Sequence, residues 1–289
     1  MLVCPFALLV VAKVSLQAAT VPAQKPAESP AAAQTVEVDQ TLVTLGTTMP
    51  LKRHRSYFRL THRFAGDLRR GDFGDLASTL FTLDDGAIIG LEYRFGITTA
   101  LQAGVHRSIL GKTIEAFGRW DLWREIDGHA FSVSAAPSIE GQNNLRQDPQ
   151  PGLSLTFSRT LRKRLALYAL PSYVHNAHTA TLRLIHEGHV HATGEDDDAD
   201  HSSAVDTFFI GLGGRVRISQ SVSGAVEFAP RVAGYKPGRA DWNAGIEKIT
   251  HGHVLQLNFG NNFNTTPGMI ARGGNAGQVF MGFNISRKF

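Results

Sequence analysis

Apolar and polar residues alternate with a period of two over most of this chain. In the stretch YFRLTHRF, Phe58, Leu60 and Phe64 fall on one face, while Arg59 and Arg63 fall on the other. The same alternation recurs in AIIGLEYRFG, LQAGVHR, IEAFGRWDLW, LSLTFS, FFIGLGGRVRI, VSGAVEFAPRV and FMGFNISRKF. A period of two is typical of β-strands with two different faces. The pattern predicts about twelve strands. One segment, LALYALPSYV, is apolar on both faces, and its sides cannot be assigned from the pattern.

The links between these segments differ in length in a regular way. Short turns such as GIT, LRKR, SQS and THG alternate with longer links at residues 65–86, 141–150, 176–206 and 262–277. Short turns at one rim and long loops at the other are typical of outer-membrane barrels, whose short side is periplasmic. The sequence therefore predicts an all-β fold, a transmembrane up-and-down antiparallel β-barrel of about twelve strands.

Alternation alone does not say which face points inward. About eight strands already leave an interior that side chains just fill, so twelve strands around an apolar core would be under-packed. We therefore expect the apolar face to meet lipid and the polar face to line the lumen. Aromatic rings at the strand ends suit the two membrane interfaces; they are Phe95, Trp120, Trp123 and Phe289 at one end and Tyr173 and Trp242 at the other. A soluble periplasmic β-sandwich is the alternative architecture.

The first fifty residues have a different composition. An apolar run from Leu2 to Ala12, followed by small residues, predicts a secretory signal peptide over 1–23, although a basic start is missing. Residues 24–50 are rich in Pro, Ala, Gln and Thr and predict a disordered linker before a barrel at 51–289. The single cysteine, Cys4, excludes a disulfide framework. The expected location is the bacterial outer membrane, with its lipid as a partner.

The chain ends on Phe289, with apolar residues at alternate positions before it and Arg287 as an exception. This ending resembles the signal that the barrel-assembly machinery of the outer membrane reads. We therefore expect this machinery as a partner through the C-terminal strand, and we expect that strand to pair with the first one.

Longer motifs suggest a family. They are THRF, RSILGKTIEAFGRWDL, FSRTLRKRLALYALPSYVHN, GIEKITHGHVLQL and GFNISRKF. With these motifs, residues 57–289 resemble a family of bacterial β-barrel proteins catalogued only as a domain of unknown function. The resemblance implies an outer-membrane barrel and supplies neither a reaction nor a substrate.

Charged residues on the polar faces are the candidate lumen lining. They are Arg59, Arg63, Arg94, Arg119, Arg215, Arg217, Arg231, Glu92, Glu115, Glu227 and Glu247. Arginine exceeds glutamate in this set, in agreement with the net charge of +4. A ring of one sign sets the selectivity of a pore, so one hypothesis is a narrow, water-filled lumen that prefers small anionic solutes. The alternative is that the charges pair with each other and fill a structural barrel.

The link HEGHVHATGEDDDADH is a candidate metal site. Its candidate ligands are His186, His189, His191, Asp196, Asp198 and His201. Imidazole suits zinc, copper or nickel, and carboxylates suit calcium or magnesium. The spacing matches no known motif, so a solvated acidic loop is the alternative.

Other function classes have less support. A nucleophilic serine needs a histidine and an orienting group, and no G-x-S-x-G elbow or recognisable triad is present. The pI of about 9.3 does not indicate nucleic acid, because the arginines are spread through strands. We expect no cofactor and a passive or structural role, with an outer-membrane acyl hydrolase or protease as the alternative.

Overall fold

The computed structural model describes residues 36–177 and 205–289, and the backbone alone of 183–186 and 189–192. Twelve long strands form one antiparallel sheet that closes on itself. They are β1 (Ser56–Phe64), β2 (Ala87–Gly96), β3 (Leu101–Ser108), β4 (Ile114–Trp123), β5 (Ser132–Gly141), β6 (Gln147–Leu161), β7 (Leu165–Ala177), β10 (Val205–Arg217), β11 (Val222–Ala229), β13 (Asp241–Thr250), β14 (His253–Gly260) and β15 (Phe280–Lys288). Strands β8 (Arg183–His186) and β9 (His189–Ala192) form a separate hairpin, and β12 (Arg231–Ala233) pairs with β10 beyond the end of β11. The predicted fold class is confirmed.

The barrel closes between its first and last strands. Tyr57 of β1 lies opposite Lys288 of β15, and the backbone N–H of Phe289 donates to the carbonyl of Ser56 over 2.9 Å. The predicted pairing of the terminal strand with the first one is therefore confirmed. Since the ring has no free edge, the main strands satisfy their backbone groups within the sheet, as a membrane-spanning sheet must.

The links alternate between short and long except for two short ones at the long-loop rim, between β3 and β4 and between β5 and β6. Helix α1 (Phe73–Ser78) lies in the link between β1 and β2, and helix α3 (Pro267–Arg272) lies in the link between β14 and β15. The predicted long link at 141–150 is wrong, because β6 already begins at Gln147 and only the helical turn α2 (Gln142–Leu145) and one further residue separate it from β5. None of the described helices is long and apolar enough to cross a bilayer.

The outer surface of the barrel is apolar. Leu91, Leu212 and Leu257 keep 44–48% of their surface exposed, whereas Arg59 and Glu247 inside are at most 1% exposed. Six aromatic residues assigned to the interfaces are all exposed: Phe95, Trp120, Trp123, Tyr173, Trp242 and Phe289. A soluble protein does not expose so much contiguous apolar surface. The alternative of a soluble sandwich is therefore wrong.

Residues 36–48 lie inside the barrel. Leu42, Val43 and Leu45 are at most 3% exposed, and so is Val36. The prediction of a disordered linker over 24–50 is wrong for 36–48. The composition of a segment indicates whether the segment can form a core of its own. Here the interior of the barrel buries the segment instead. The rest of the linker and the signal peptide lie outside the described residues.

The segment at 39–48 forms a hairpin, which we call the lumen hairpin. The N–H of Leu42 donates to the carbonyl of Leu45 over 2.8 Å, and the N–H of Thr47 to that of Gln40 over 2.9 Å. Its base lies at the short-turn rim, where the Ser286 hydroxyl donates to Asp39 over 2.7 Å. The chain thus enters the lumen at the short-turn rim, turns inside, and returns to the same rim before β1 begins.

Candidate functional site: a lumen closed from both ends

One side of the lumen is lined by ions. We call this lining the polar wall; it consists of Arg59, Glu92, Arg94, Glu115 and Arg119 on β1, β2 and β4. Nη2 of Arg59 lies 2.6 Å from Oε2 of Glu92, and Nε of Arg94 pairs with the other oxygen. The second Arg59 nitrogen, Nη1, donates to Thr41 Oγ1 over 2.9 Å and to the Val43 carbonyl over 3.1 Å. One ion cluster therefore fixes both the wall and the hairpin.

Two more arginines connect the wall to the hairpin. Arg119 pairs with Asp121 over 2.7 Å and donates to Gln40 Oε1 over 3.1 Å. Arg215 makes two hydrogen bonds to Glu247, of 2.7 and 2.8 Å, and donates to the carbonyl of Thr41 over 2.6 Å. The other Glu247 partner, Gln256, also donates to the carbonyl of Leu42 over 2.7 Å. Arg119 thus binds a side chain of the hairpin, whereas Arg215 binds its backbone.

The tip of the lumen hairpin is held by one carboxylate. The side chain of Glu227 on β11 accepts the backbone N–H groups of Val43, Thr44 and Leu45 over 3.0–3.1 Å. It also accepts the Thr44 hydroxyl and the Asn243 amide, the latter over 2.8 Å. Successive backbone N–H groups that converge on an anion form a strong, directional contact. Glu227 is thus the anchor of the tip.

The opposite side of the lumen is apolar. We call it the apolar wall; its members are Tyr168, Leu170, Val174, Phe209 and Ala225 on β7, β10 and β11, and they form one buried cluster with Leu42 and Leu45 of the hairpin. The segment LALYALPSYV belongs to β7, so one of its faces meets lipid and the other meets the hairpin. This arrangement explains why both of its faces are apolar.

Two glycines in the sequence GLGG make room for the hairpin. A Cβ atom on Gly211 would lie 2.9 Å from the Leu45 methyl carbons, and a Cβ on Gly213 would collide with Cδ1 of Leu42. Both positions face the lumen, because they alternate with the exposed Leu212. Their lack of a side chain therefore lets the hairpin leucines lie directly against the strand.

The link between β14 and β15 folds into the barrel from the other end; we call residues 261–279 the inward loop. Its members Met269 and Ile270 are at most 4% exposed. The N–H of Gly268 donates to Glu140 Oε2 over 2.9 Å, and Arg272 Nη2 lies 3.3 Å from the other oxygen. Burial lowers the pKa of the Arg272 guanidinium, although Glu140 opposes the shift. The lumen is thus filled from both rims.

The remaining candidates of the lining lie in different places. Arg63 is buried and donates to Asn284 Oδ1 over 2.8 Å, and its Nε and Nη2 atoms have no partner among the described residues. Arg217 is half-buried near the short-turn rim. Arg231 is half-buried at the long-loop rim, where it donates to the carbonyl of Arg272 over 2.9 Å. These two arginines therefore lie at the two ends of the barrel.

The charge inside the barrel differs from the sequence-based tally. The buried charged side chains among the described residues are five arginines and eight carboxylates: Arg59, Arg63, Arg94, Arg119 and Arg215, with Asp39, Glu92, Glu115, Asp121, Glu140, Glu227, Asp241 and Glu247. The inferred arginine excess is therefore wrong for the buried side chains. The predicted set did not include the buried carboxylates Asp39, Asp121, Glu140 and Asp241, and it included Arg217 and Arg231, which are only half-buried. The charge gives no reason to expect an anion preference.

A cavity remains between the lumen hairpin, the polar wall and the inward loop; we call it the chamber. Its volume is about 90 Å³, measured as the space open to the centres of water molecules. Its surface is formed by residues of both walls, the hairpin and the loop, among them Arg94, Glu115, Phe117, Leu170, Phe209, Thr44 and Pro267. A water needs roughly 10–15 Å³ of such space, so the chamber has room for about six to nine waters.

The predicted metal site falls outside the described side chains. His186, His189 and His191 lie on the β8–β9 hairpin, of which only the backbone is described, and Asp196, Asp198 and His201 lie outside the described residues. The loop metal site therefore stays a prediction. In the ranges whose side chains are described, no group of three His, Cys, Asp or Glu residues could hold a metal ion.

The family of the chain follows from a comparison with family models. The model described as "Membrane bound beta barrel domain (DUF5777)" matches residues 39–289. The chain belongs to this family. The match begins at the first residue of the lumen hairpin, so the membrane-bound β-barrel domain includes the hairpin as well as the strands. The suspected family is confirmed, and a comparison with curated proteins finds no match.

Solved structures of other barrels are similar to this domain. The NanC porin has 10% sequence identity and a TM-score of 0.49, covering 81% of this chain and 98% of its own. Omp33 of Acinetobacter baumannii has 10% identity and a TM-score of 0.43, covering 82% and 98%. A bacterial polysaccharide outer membrane secretin has 7% identity and a TM-score of 0.43, covering 83% and 99%. With TM-scores below 0.5, no functional conclusion rests on these likenesses.

Proposed function

We propose that this protein is a non-enzymatic barrel of the bacterial outer membrane that passes small polar solutes, and that the lumen hairpin closes it from the periplasmic side. The observation that carries the proposal is the position of the hairpin. It fills the lumen, and its covalent connection to the barrel runs through the residues that lead into β1. Its departure would leave a lumen with ions and hydroxyl groups on one side and the apolar wall on the other.

The contacts of the lumen hairpin are of a kind that can break when the hairpin leaves the lumen. Arg59, Arg215, Gln256 and Asn284 all donate to its carbonyl groups, and Glu227 accepts its N–H groups. All of these groups can bond to water instead, so the net contribution of each hydrogen bond is only about 0.5–1.5 kcal/mol, or about 1.5–3 kcal/mol where a charge takes part. The hairpin is therefore firmly held but reversibly bound.

A permanently closed structural barrel is the second candidate. The observation in its favour is the apolar cluster in which Leu42 and Leu45 pack with Leu170, Phe209 and Ile270. Buried leucines of this kind contribute roughly 1.5–3 kcal/mol each, and such packing resembles an ordinary protein core. In this case the charges and the leucines would serve stability alone.

Conductance in planar bilayers distinguishes the two candidates. We expect the full mature barrel to conduct rarely and a variant that lacks residues 36–47 to conduct steadily. A deletion of equal length, residues 24–35, is the matched control and should behave as the full chain does. A closed barrel in both deletion variants, with normal heat-modifiable migration in gels, would favour the structural role.

Assembly through the C-terminal strand belongs to the same proposal. The Phe289 ring is exposed, and the Arg287 guanidinium lies 5.1 Å from its centre. The side chain of Arg287 thus extends along the Phe289 ring to the rim of the barrel. At the rim its charge can contact polar lipid headgroups. A Phe289→Ala variant should leave less folded barrel in the outer membrane, whereas Arg287→Lys should assemble normally. Equal assembly of F289A and the unchanged chain would contradict this role.

A further inference from the structure

Glu115 is a buried carboxylate without a partner. It is 6% exposed, and it forms no hydrogen bond or ion pair within the described part of the chain, although it lines the chamber. Its neighbours in register are His106 on β3 and Glu140 on β5. His106 forms no hydrogen bond with either ring nitrogen, and Glu140 is bound to the inward loop. An unpaired buried carboxylate is costly, so Glu115 is stabilised either by taking up a proton or by a cationic group beside it.

Arg94 supplies the opposite charge in the same chamber. Its Nε atom pairs with Glu92, whereas its two Nη atoms form no hydrogen bond with any described residue. The guanidinium lies 4.9 Å from the centre of the Phe117 ring. That ring lies over Gly104, where a Cβ would collide with it. The aromatic ring holds the guanidinium in a fixed orientation, with donors available for an acceptor in the chamber.

We propose that the chamber is a binding site for a small zwitterion with an ammonium and a carboxylate group, of the size of glycine or alanine. Glu115 receives the ammonium, and the Nη atoms of Arg94 donate to the carboxylate. The hydroxyl groups of Ser138, Thr156 and Thr266 also line the chamber and can bind the ligand, and the rest of its surface is largely apolar.

The size and the charge of the chamber support this class of ligand. Space for about six to nine waters accommodates a solute of about five or six heavy atoms. A simple anion would pair with Arg94 and leave Glu115 without a partner, and a simple cation would do the reverse. A zwitterion pairs with both groups at once. This inference rests on the proposed function, since it names the class of solute that the barrel would pass.

Equilibrium dialysis with labelled glycine tests the site. The full mature barrel is refolded in detergent with glycine present, so access does not depend on movement of the hairpin. We expect saturable binding of one glycine per barrel, competed by alanine and far less by methylammonium or acetate at equal ionic strength. Binding that does not saturate, or equal competition by acetate, would overturn the proposal.

Variants assign the binding to the two charges. Glu115→Gln and Arg94→Gln should each weaken glycine binding by at least about tenfold, since each loses one charged contact. Glu125→Gln, outside the chamber, is the matched control and should bind normally. Unchanged binding by E115Q would refute the site. If a variant does not fold, the competition experiments on the unchanged chain still test the proposal. A barrel that binds glycine but never conducts would contradict passage instead, so the two proposals fail separately.

Discussion

The two walls of the lumen hold the same hairpin by different means. The polar wall holds it with ion pairs whose spare donors reach the hairpin, as Arg59 does with the Thr41 hydroxyl and the Val43 carbonyl. The apolar wall holds it by packing, with Leu42 and Leu45 against β7 and β10 and a single anchoring carboxylate, Glu227. One barrel interior therefore combines the chemistry of a channel with that of a protein core.

The largest effect is expected from the polar wall. Glu92→Gln leaves Arg59 and Arg94 buried without their shared carboxylate, and the loss of one partner of a buried ion pair costs about 3–5 kcal/mol. The free energy of unfolding, from urea titration in lipid vesicles followed by tryptophan fluorescence, should fall by this amount.

The exposed pair of Arg124 and Asp127, 2.9 Å apart, provides the control. Arg124→Gln should cost less than about 1 kcal/mol, because solvent screens exposed pairs. If E92Q and R124Q lowered the free energy of unfolding equally, the ion cluster would not stabilise the polar wall.

The next effect concerns the two anchoring carboxylates. Glu227→Gln removes the charge that receives the hairpin tip, at a cost of about 2–3 kcal/mol. Hydrogen exchange at the N–H groups of Val43, Thr44 and Leu45 should accelerate by about 30–150-fold, while that of Gly268 should not change.

Glu140→Gln is the reciprocal control, because Glu140 receives the N–H of Gly268 in the inward loop. It should accelerate exchange at Gly268 and leave the hairpin tip unchanged. The same acceleration at both places in either variant would show that the hairpin and the loop are not held independently.

A smaller effect is expected from steric exclusion at the apolar wall. Gly213→Leu places a side chain where Leu42 lies, and such overpacking costs about 1–3 kcal/mol. The hairpin should be displaced, so proteinase K should cleave within residues 36–50, as mass spectrometry would detect. Gly224→Leu is the control, because a Cβ there makes only ordinary contacts, at 3.5 and 3.8 Å. Protection of the hairpin in G213L would contradict the packing.

The barrel itself could be predicted from the sequence. Strands such as β1 and β2 contact lipid on one face and ions on the other. The alternation of apolar and polar residues within each strand therefore predicts the barrel without any information about residues far away in the sequence. The pattern failed only where both faces are apolar, in LALYALPSYV. Its lumen face packs on Leu42 and Leu45, and such a non-local contact has no local periodicity.

The closed site could be predicted only in part. The charges of the polar wall, such as Arg59 and Glu92, were visible as polar faces, but the hairpin was hidden by the low-complexity composition around it. Two signals were present: the glycines of GLGG at lumen-facing positions, and Thr266 before Pro267, a typical helix start for the inward loop. Neither says which segment fills the lumen, because that depends on the closed ring.

A disulfide can show that residues 39–48 occupy the lumen. Thr48 Oγ1 and Ser158 Oγ on β6 are 2.5 Å apart, close to the geometry that a disulfide needs. In a Cys4→Ala background, a T48C/S158C chain in native membranes should form an intramolecular disulfide almost completely under mild oxidation. T48C/S223C, with Ser223 on β11, should form none. Failure of the first pair, or equal cross-linking of both, would contradict the account.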